Sequence, residues 1–163
     1  MIAFRQFHFS KSSEKHGWNE GGVNGEAQFT NLFYCPTSGH VIAQFCSANL
    51  QSLYVRHHSE NLYRKVHKEN DKLSYADPIV DNSNASLFFN VMEAASGNAM
   101  NWRMVAKLDL KKNEIEPIFS ESNYKANSET FWISRLYGMS PDNSKLICSA
   151  SLTEIIGFVI WTR

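Results

Sequence analysis

The sequence predicts an all-β chain built from antiparallel, four-stranded repeat units, and three observations predict it. The turn stretch Ser140-Pro141-Asp142-Asn143-Ser144, followed by apolar Leu146-Ile147-Cys148, recurs as Cys35-Pro36-Thr37-Ser38-Gly39 before Val41-Ile42-Ala43 and as Asp81-Asn82-Ser83-Asn84-Ala85 before Leu87-Phe88-Phe89. The copies begin at Cys35, Asp81 and Ser140, 46 and 59 residues apart, which is the spacing of repeated supersecondary units. Second, 13% of the 163 residues are aromatic and 43% apolar, a weight that favours pleated, half-buried surfaces and is enough for a real core. Third, period-2 alternation recurs along the chain and no stretch sustains a helical period.

Taken in order, residues 2–9 alternate well enough for a strand, and 10–25 read as a polar loop with Gly17, Gly21, Gly22 and Gly25 and one large anchor, Trp18. The glycines lack both the Lys-Ser/Thr ending and the G-x-G-x-x-G spacing of phosphate-binding loops. The first unit, about 27–70, has strands at 28–34, 40–46, 51–57 and 62–68. The second, about 71–122, has them at 73–80, 86–93, 102–110 and 114–120. In its third strand Trp102, Met104, Ala106, Leu108 and Leu110 share one parity, and Lys111-Lys112-Asn113 turns the chain with Asn113 suited to a left-handed backbone. The third unit, about 130–163, has 131–139, 145–152 and 155–161, one strand fewer. At an offset of 105, Leu53-Tyr54-Val55 fall on Phe158-Val159-Ile160 without a gap. The polar stretches 95–101 and 121–130 absorb the extra length as rim loops.

Lys plus Arg and Asp plus Glu are both 16, so there is no positive field to neutralise phosphates and nucleic acid is not an expected partner. Cys35, Cys46 and Cys148 are odd in number and have no C-x-x-C spacing, which argues for reduced thiols. No window approaches the roughly 18 apolar residues of a membrane span, and the first residues do not resemble a signal peptide. The expected compartment is the cytoplasm, with no membrane contact and no cofactor.

Four-stranded units with a Ser140-Pro141-Asp142-Asn143 turn before an apolar second strand, and a hairpin like 102–119, resemble the repeats of TolB-like and WD-type β-propellers over about residues 28–163. Asn143 stands where that pattern usually has Gly, Asn82 replaces the Pro in the middle copy, and no Trp-Asp pair closes a third strand. The resemblance implies a β-propeller-like partial ring, with an antiparallel β-sandwich as the alternative. It also implies several jobs: protein-binding platform, filter before a peptidase domain, or body of a lyase acting on sugar acids.

Candidate chemistry is sparse. His40 opens a second strand and His57-His58 close the third of the same unit, so with Asp77 or Asp81 they are candidate metal ligands; adjacent residues of a strand point to opposite faces, which lets only one of the pair join His40. Cys148 reads as core and Cys35 as a turn-opening residue equivalent to Ser140, and no G-x-S-x-G elbow exists. Trp18, Tyr75, Trp132 and Tyr137 are the candidate ligand-binding aromatics, flat rings that give contact area at low entropic cost. The expected function is a non-enzymatic protein- or ligand-binding module. The alternatives are a propeller-type lyase or hydrolase acting on oligosaccharide or peptide through the histidines, and a truncated piece of a larger propeller protein. A protein partner or self-association is expected, with strand 2–9 closing the third unit beside 155–161 in one chain or across a two-fold homodimer.

Overall fold

The structure is a computed structural model and describes residues 28–47, 50–66, 72–95, 99–120, 131–152 and 155–162. Among them the chain is all-β and antiparallel. The first sheet holds β1 (Gln28–Cys35), β2 (His40–Ser47), β3 (Leu50–His57) and the short β4 (Arg64–Lys65), hydrogen-bonded in chain order. The second holds β5 (Leu73–Asp81), β6 (Ser86–Ala94), β7 (Met100–Asp109) and β8 (Glu114–Ser120), and the third β9 (Phe131–Met139), β10 (Lys145–Leu152) and β11 (Ile155–Thr162). These are the three repeat units, the last with three described strands. The expected strand 2–9 and the loop 121–130 lie outside the described residues, as do 96–98 of the loop 95–101.

Local chemistry sets the hairpins. The β1–β2 turn closes with Gly39 N–H donating to the Cys35 carbonyl at 2.8 Å, and Gly39 takes φ +70°. The β7–β8 turn closes in the same way, Asn113 N–H to Asp109 O at 2.8 Å, with Asn113 left-handed as its residue type predicts. The middle copy of the repeated turn has no proline, and Asp81 does the work instead. Its Oδ1 accepts from the Ser83 and Asn84 amides and its Oδ2 from Asn84 Nδ2. At the third copy Asp142 accepts from the Ser144 amide and from the Ser140 and Ser144 hydroxyls, which hold its carboxyl down at about 2.

The sheets stack face to face in chain order, as propeller blades do. On β6, Leu87, Phe89 and Val91 face the first sheet and pack with Ile42, Leu53, Val55 and Tyr75, while Phe88 faces the third and packs with Ile133, Leu136, Leu146 and Cys148. Leu87, Phe88 and Phe89 are all fully buried, so the second sheet is apolar on both faces. The parity expected of β7 breaks at one place. Met104, Ala106, Leu108 and Leu110 belong to the first interface, but a bulge across from Val91 and Met92 puts Trp102 with Val105 in the second.

Each second strand also buries one polar side chain at the same repeat position: Gln44, Asn90 and Ser149. Opposite each, the first strand of the sheet departs from regular pairing, around Thr30, Asp77-Pro78 and Ser134. Thr30 Oγ1 donates to Gln44 O and Ser134 Oγ to Ser149 O, while Asn90 Nδ2 donates to the Asp77 carboxylate. Each of the three residues is thus tied to the first strand of its own sheet, although Asn90 Oδ1 itself is enclosed with no hydrogen-bond partner among the described residues.

Candidate functional site

Two polar assemblies stand out on this frame. The first is the rim of the first sheet where β1 turns into β2 and β3 into β4. His40 and His57 are directly paired in the β2–β3 register, and their rings meet edge to face at 5.0 Å. The strand ends at His57, so alternation no longer governs His58, and its ring returns to lie 4.2 Å from that of His57. All three histidines therefore come together, where alternation alone admits two. Gly39 makes the approach feasible, since a Cβ there would stand 2.3 Å from His58 Nδ1 and 3.1 Å from His57 Nε2.

The nitrogens are committed in ways that do not suit a metal. Nδ1 of His57 accepts from the Ser59 amide at 3.3 Å and meets the Ser59 hydroxyl at 2.6 Å, and Nδ1 of His58 donates to the Gly39 carbonyl at 3.3 Å. Among the described residues no group of three or more His, Cys, Asp or Glu is arranged to hold a metal ion, so the expected His40, His57 and His58 ligand set is not formed. Glu60 does not orient an imidazole either: its carboxylate accepts from the backbone amide of His57 at 3.2 Å and faces Arg64 at 3.6 Å. A general base held by a carboxylate is thus missing from this cluster.

His40 is 6% exposed. Burial, then the neighbouring His57 and Arg64, pushes its pKa below 6.5, while Glu60 and the backbone of Ser38 oppose the shift. Its folded pKa lies under the unfolded one, so the unfolded chain binds the proton more readily. Stability is then full above about pH 6.5 and is lost as pH falls below it. Urea midpoints measured at pH 7.5 and 5.5 should fall in the wild type and fall less in His40→Gln; equal slopes would remove His40 as the cause.

The second assembly joins the second and third sheets. Asp77 sits in β5 at φ +51°, a left-handed backbone that Asp tolerates better than most residues. Its Oδ2 accepts from Asn90 Nδ2 at 3.1 Å and from the Leu136 amide of β9 at 3.2 Å, and Arg135 Nε lies 3.8 Å from Oδ1. The Arg135 guanidinium in turn sits 5.9 Å from the Tyr137 ring centroid. Asp77 is not paired with the histidines.

The expected aromatics do not form one platform. Tyr137 is 53% exposed, whereas Tyr75 is 3% exposed and packs against Phe89 at 5.6 Å, because its parity on β5 points into the first interface. Tyr75 is a core residue and not a rim contact. Trp132 lies in β9 opposite Ser151, with its side chain outside the described residues, and Trp18 lies outside them altogether. Cys35 and Cys148 are buried in the two interfaces, and burial raises the Cys148 thiol. Cys46 is half-buried, and all three thiols are free.

The clasp at Asp77 escaped sequence reasoning because a bulge creates it. Its one signal was the Asp-Pro pair inside an otherwise regular strand, where proline marks irregular pairing. No helix among the described residues is long and apolar enough to cross a membrane. No protein-family model matches this chain, and no curated protein matches it.

Proposed function

We infer that this chain is a non-enzymatic binding module of the β-propeller type, with protein as its partner. The observation that carries the reading is where large apolar side chains meet solvent. The central strands of the second sheet are buried on both faces, whereas the first strands of the two flanking sheets expose Leu32, Tyr34 and Tyr137 at 46%, 56% and 53%, beside the exposed Leu62 just ahead of β4 and Ile115 at the edge strand β8. Aromatic side chains of this kind anchor protein interfaces, and Tyr137 carries a guanidinium beside its ring, the pairing enriched at such contacts. The buried thiols and the histidine cluster without an orienting carboxylate lend no comparable support to the lyase or hydrolase reading.

The test is site-directed photo-crosslinking from positions 34 and 137, with the exposed Ile115 of β8 as the control position. Discrete protein adducts, including a second copy of this chain, are expected at 34 and 137 and not at 115. Equal labelling at all three positions, or none at 34 and 137, overturns the reading.

A further inference from the structure

The rim of the first sheet has more donors than acceptors. Ser38 Oγ, His40 Nδ1, Arg56 Nε and Arg64 Nε are all enclosed and make no well-aligned hydrogen bond among the described residues, the His40 ring having only the backbone of Ser38 beside it. Four of the seven such side-chain atoms in the described part of the protein therefore crowd one hairpin end, and every one of them can donate. Arg56 leans to the far face, with its guanidinium over the Tyr63 ring at 5.0 Å. The other three come from the β1–β2 turn, from β2 and from β4. His57 adds a fourth, because its Nδ1 accepts from the Ser59 amide and the neutral ring then carries its proton on Nε2.

Acceptors are few at this rim. The one carboxylate among these side chains, Glu60, already serves the His57 amide and lies 3.6 Å from Arg64 Nη2. Arg64 and Glu60 balance each other with every imidazole neutral, and Arg56, over the Tyr63 ring on the far face, supplies the one further positive charge near this rim. Leaving buried donors without partners costs about 1–3 kcal/mol each, so a native rim that carries several of them together has a reason to.

We propose that this rim is an oxyanion site that takes a phosphate-type group between Ser38, His40, His57 and Arg64. A tetrahedral oxyanion suits the arrangement because the donors approach from three separate chain segments. A flat carboxylate is satisfied by a single guanidinium fork and leaves the hydroxyl and imidazole donors idle. Gly39 is part of the device, since any side chain there drives the His57 and His58 rings away from the turn. Tyr34 adjoins this rim through its pairing with Val41, but the site rests on the enclosed donors and does not depend on the protein-contact reading.

The experiment is calorimetric titration of the full chain at pH 7 with inorganic phosphate, O-phosphoserine, acetate and chloride at matched ionic strength, while the histidine ring resonances are followed by NMR. Phosphate is expected to bind and to move the His40 and His57 resonances, and acetate and chloride are expected to do neither. Tighter binding of phosphoserine than of phosphate assigns the site to a phosphorylated side chain; the reverse order assigns it to the free ion. Arg64→Met, at a half-exposed position, should weaken phosphate by roughly tenfold or more, the worth of one charged hydrogen bond. His40→Gln should do the same. If His40→Gln fails to fold, Arg64→Met alone decides. Phosphate binding unchanged in Arg64→Met, or an equal response to chloride, overturns the proposal.

Discussion

Phe88→Ala is expected to lower the unfolding free energy by about 3–5 kcal/mol, the range for emptying a fully buried phenylalanine site. Phe88 is the central sheet's large contribution to the second interface, packed with Trp102, Val105, Ile133, Leu136, Leu146 and Cys148. The side chains around it are held on two rigid sheets and cannot collapse into the space left behind. Its neighbour Phe89 points the other way, against Tyr75 and the first sheet. The two alanine variants should therefore have similar cost and different geography. Hydrogen exchange should show β9 and β10 losing protection in Phe88→Ala, and β2 and β3 losing it in Phe89→Ala. If both variants deprotect the same strands, the alternating burial of β6 is wrong.

Asp77→Ala should cost about 2–4 kcal/mol, because it strands two donors and not one. Asn90 Nδ2 is buried with Asp77 as its acceptor, and the Leu136 amide reaches the same oxygen across the sheet gap. Part of the loss is backbone strain: alanine at φ +51° pays about 1 kcal/mol that glycine does not. Comparing Asp77→Gly with Asp77→Ala separates the two terms in one denaturation series. Asp77→Asn keeps an acceptor oxygen and should recover most of the stability. Equal stability of Asp77→Ala and the wild type would show that the clasp contributes nothing.

Strand placement was legible in the sequence because the repeated turn and the period-2 pattern act locally. The two strands beside each tight turn start and end within a residue or two of expectation. Trp102 and Tyr75 show where the pattern stops informing. Parity is counted from an unbroken ladder, and a bulge opposite Val91 and Met92 resets it for Trp102. Tyr75 was assigned to a surface by its residue type, yet which face of β5 is covered depends on a sheet 46 residues earlier in the repeat. The histidine cluster was half legible. His40 and His57 follow from hairpin register, but the return of His58 depends on where β3 stops and on a glycine that admits the ring. Of the fourth strand of the first unit, expected over 62–68, the described part is Arg64–Lys65, paired with Val55 and Tyr54 and extended by the Val66 amide donating to the Leu53 carbonyl at 2.9 Å, while 67–68 lie outside the described residues.

The buried polar position on each second strand bears on how such a chain can grow. Gln44 reaches forward to the Tyr75 carbonyl of the next sheet at 3.5 Å, Asn90 is joined to the next sheet through Asp77, and Ser149 turns back onto Ser134 of its own sheet at 2.7 Å. Backbone similarity makes the three units look like interchangeable copies, but their side chains have diverged into different connectors. A gene duplication that inserted a second middle unit would set the short Asn90 amide against a fresh Tyr75 carbonyl that only the longer Gln44 spans. The side-chain contacts that join one unit to the next are therefore different at the two junctions, a Gln44–Tyr75 contact at the first and the Asp77 clasp at the second.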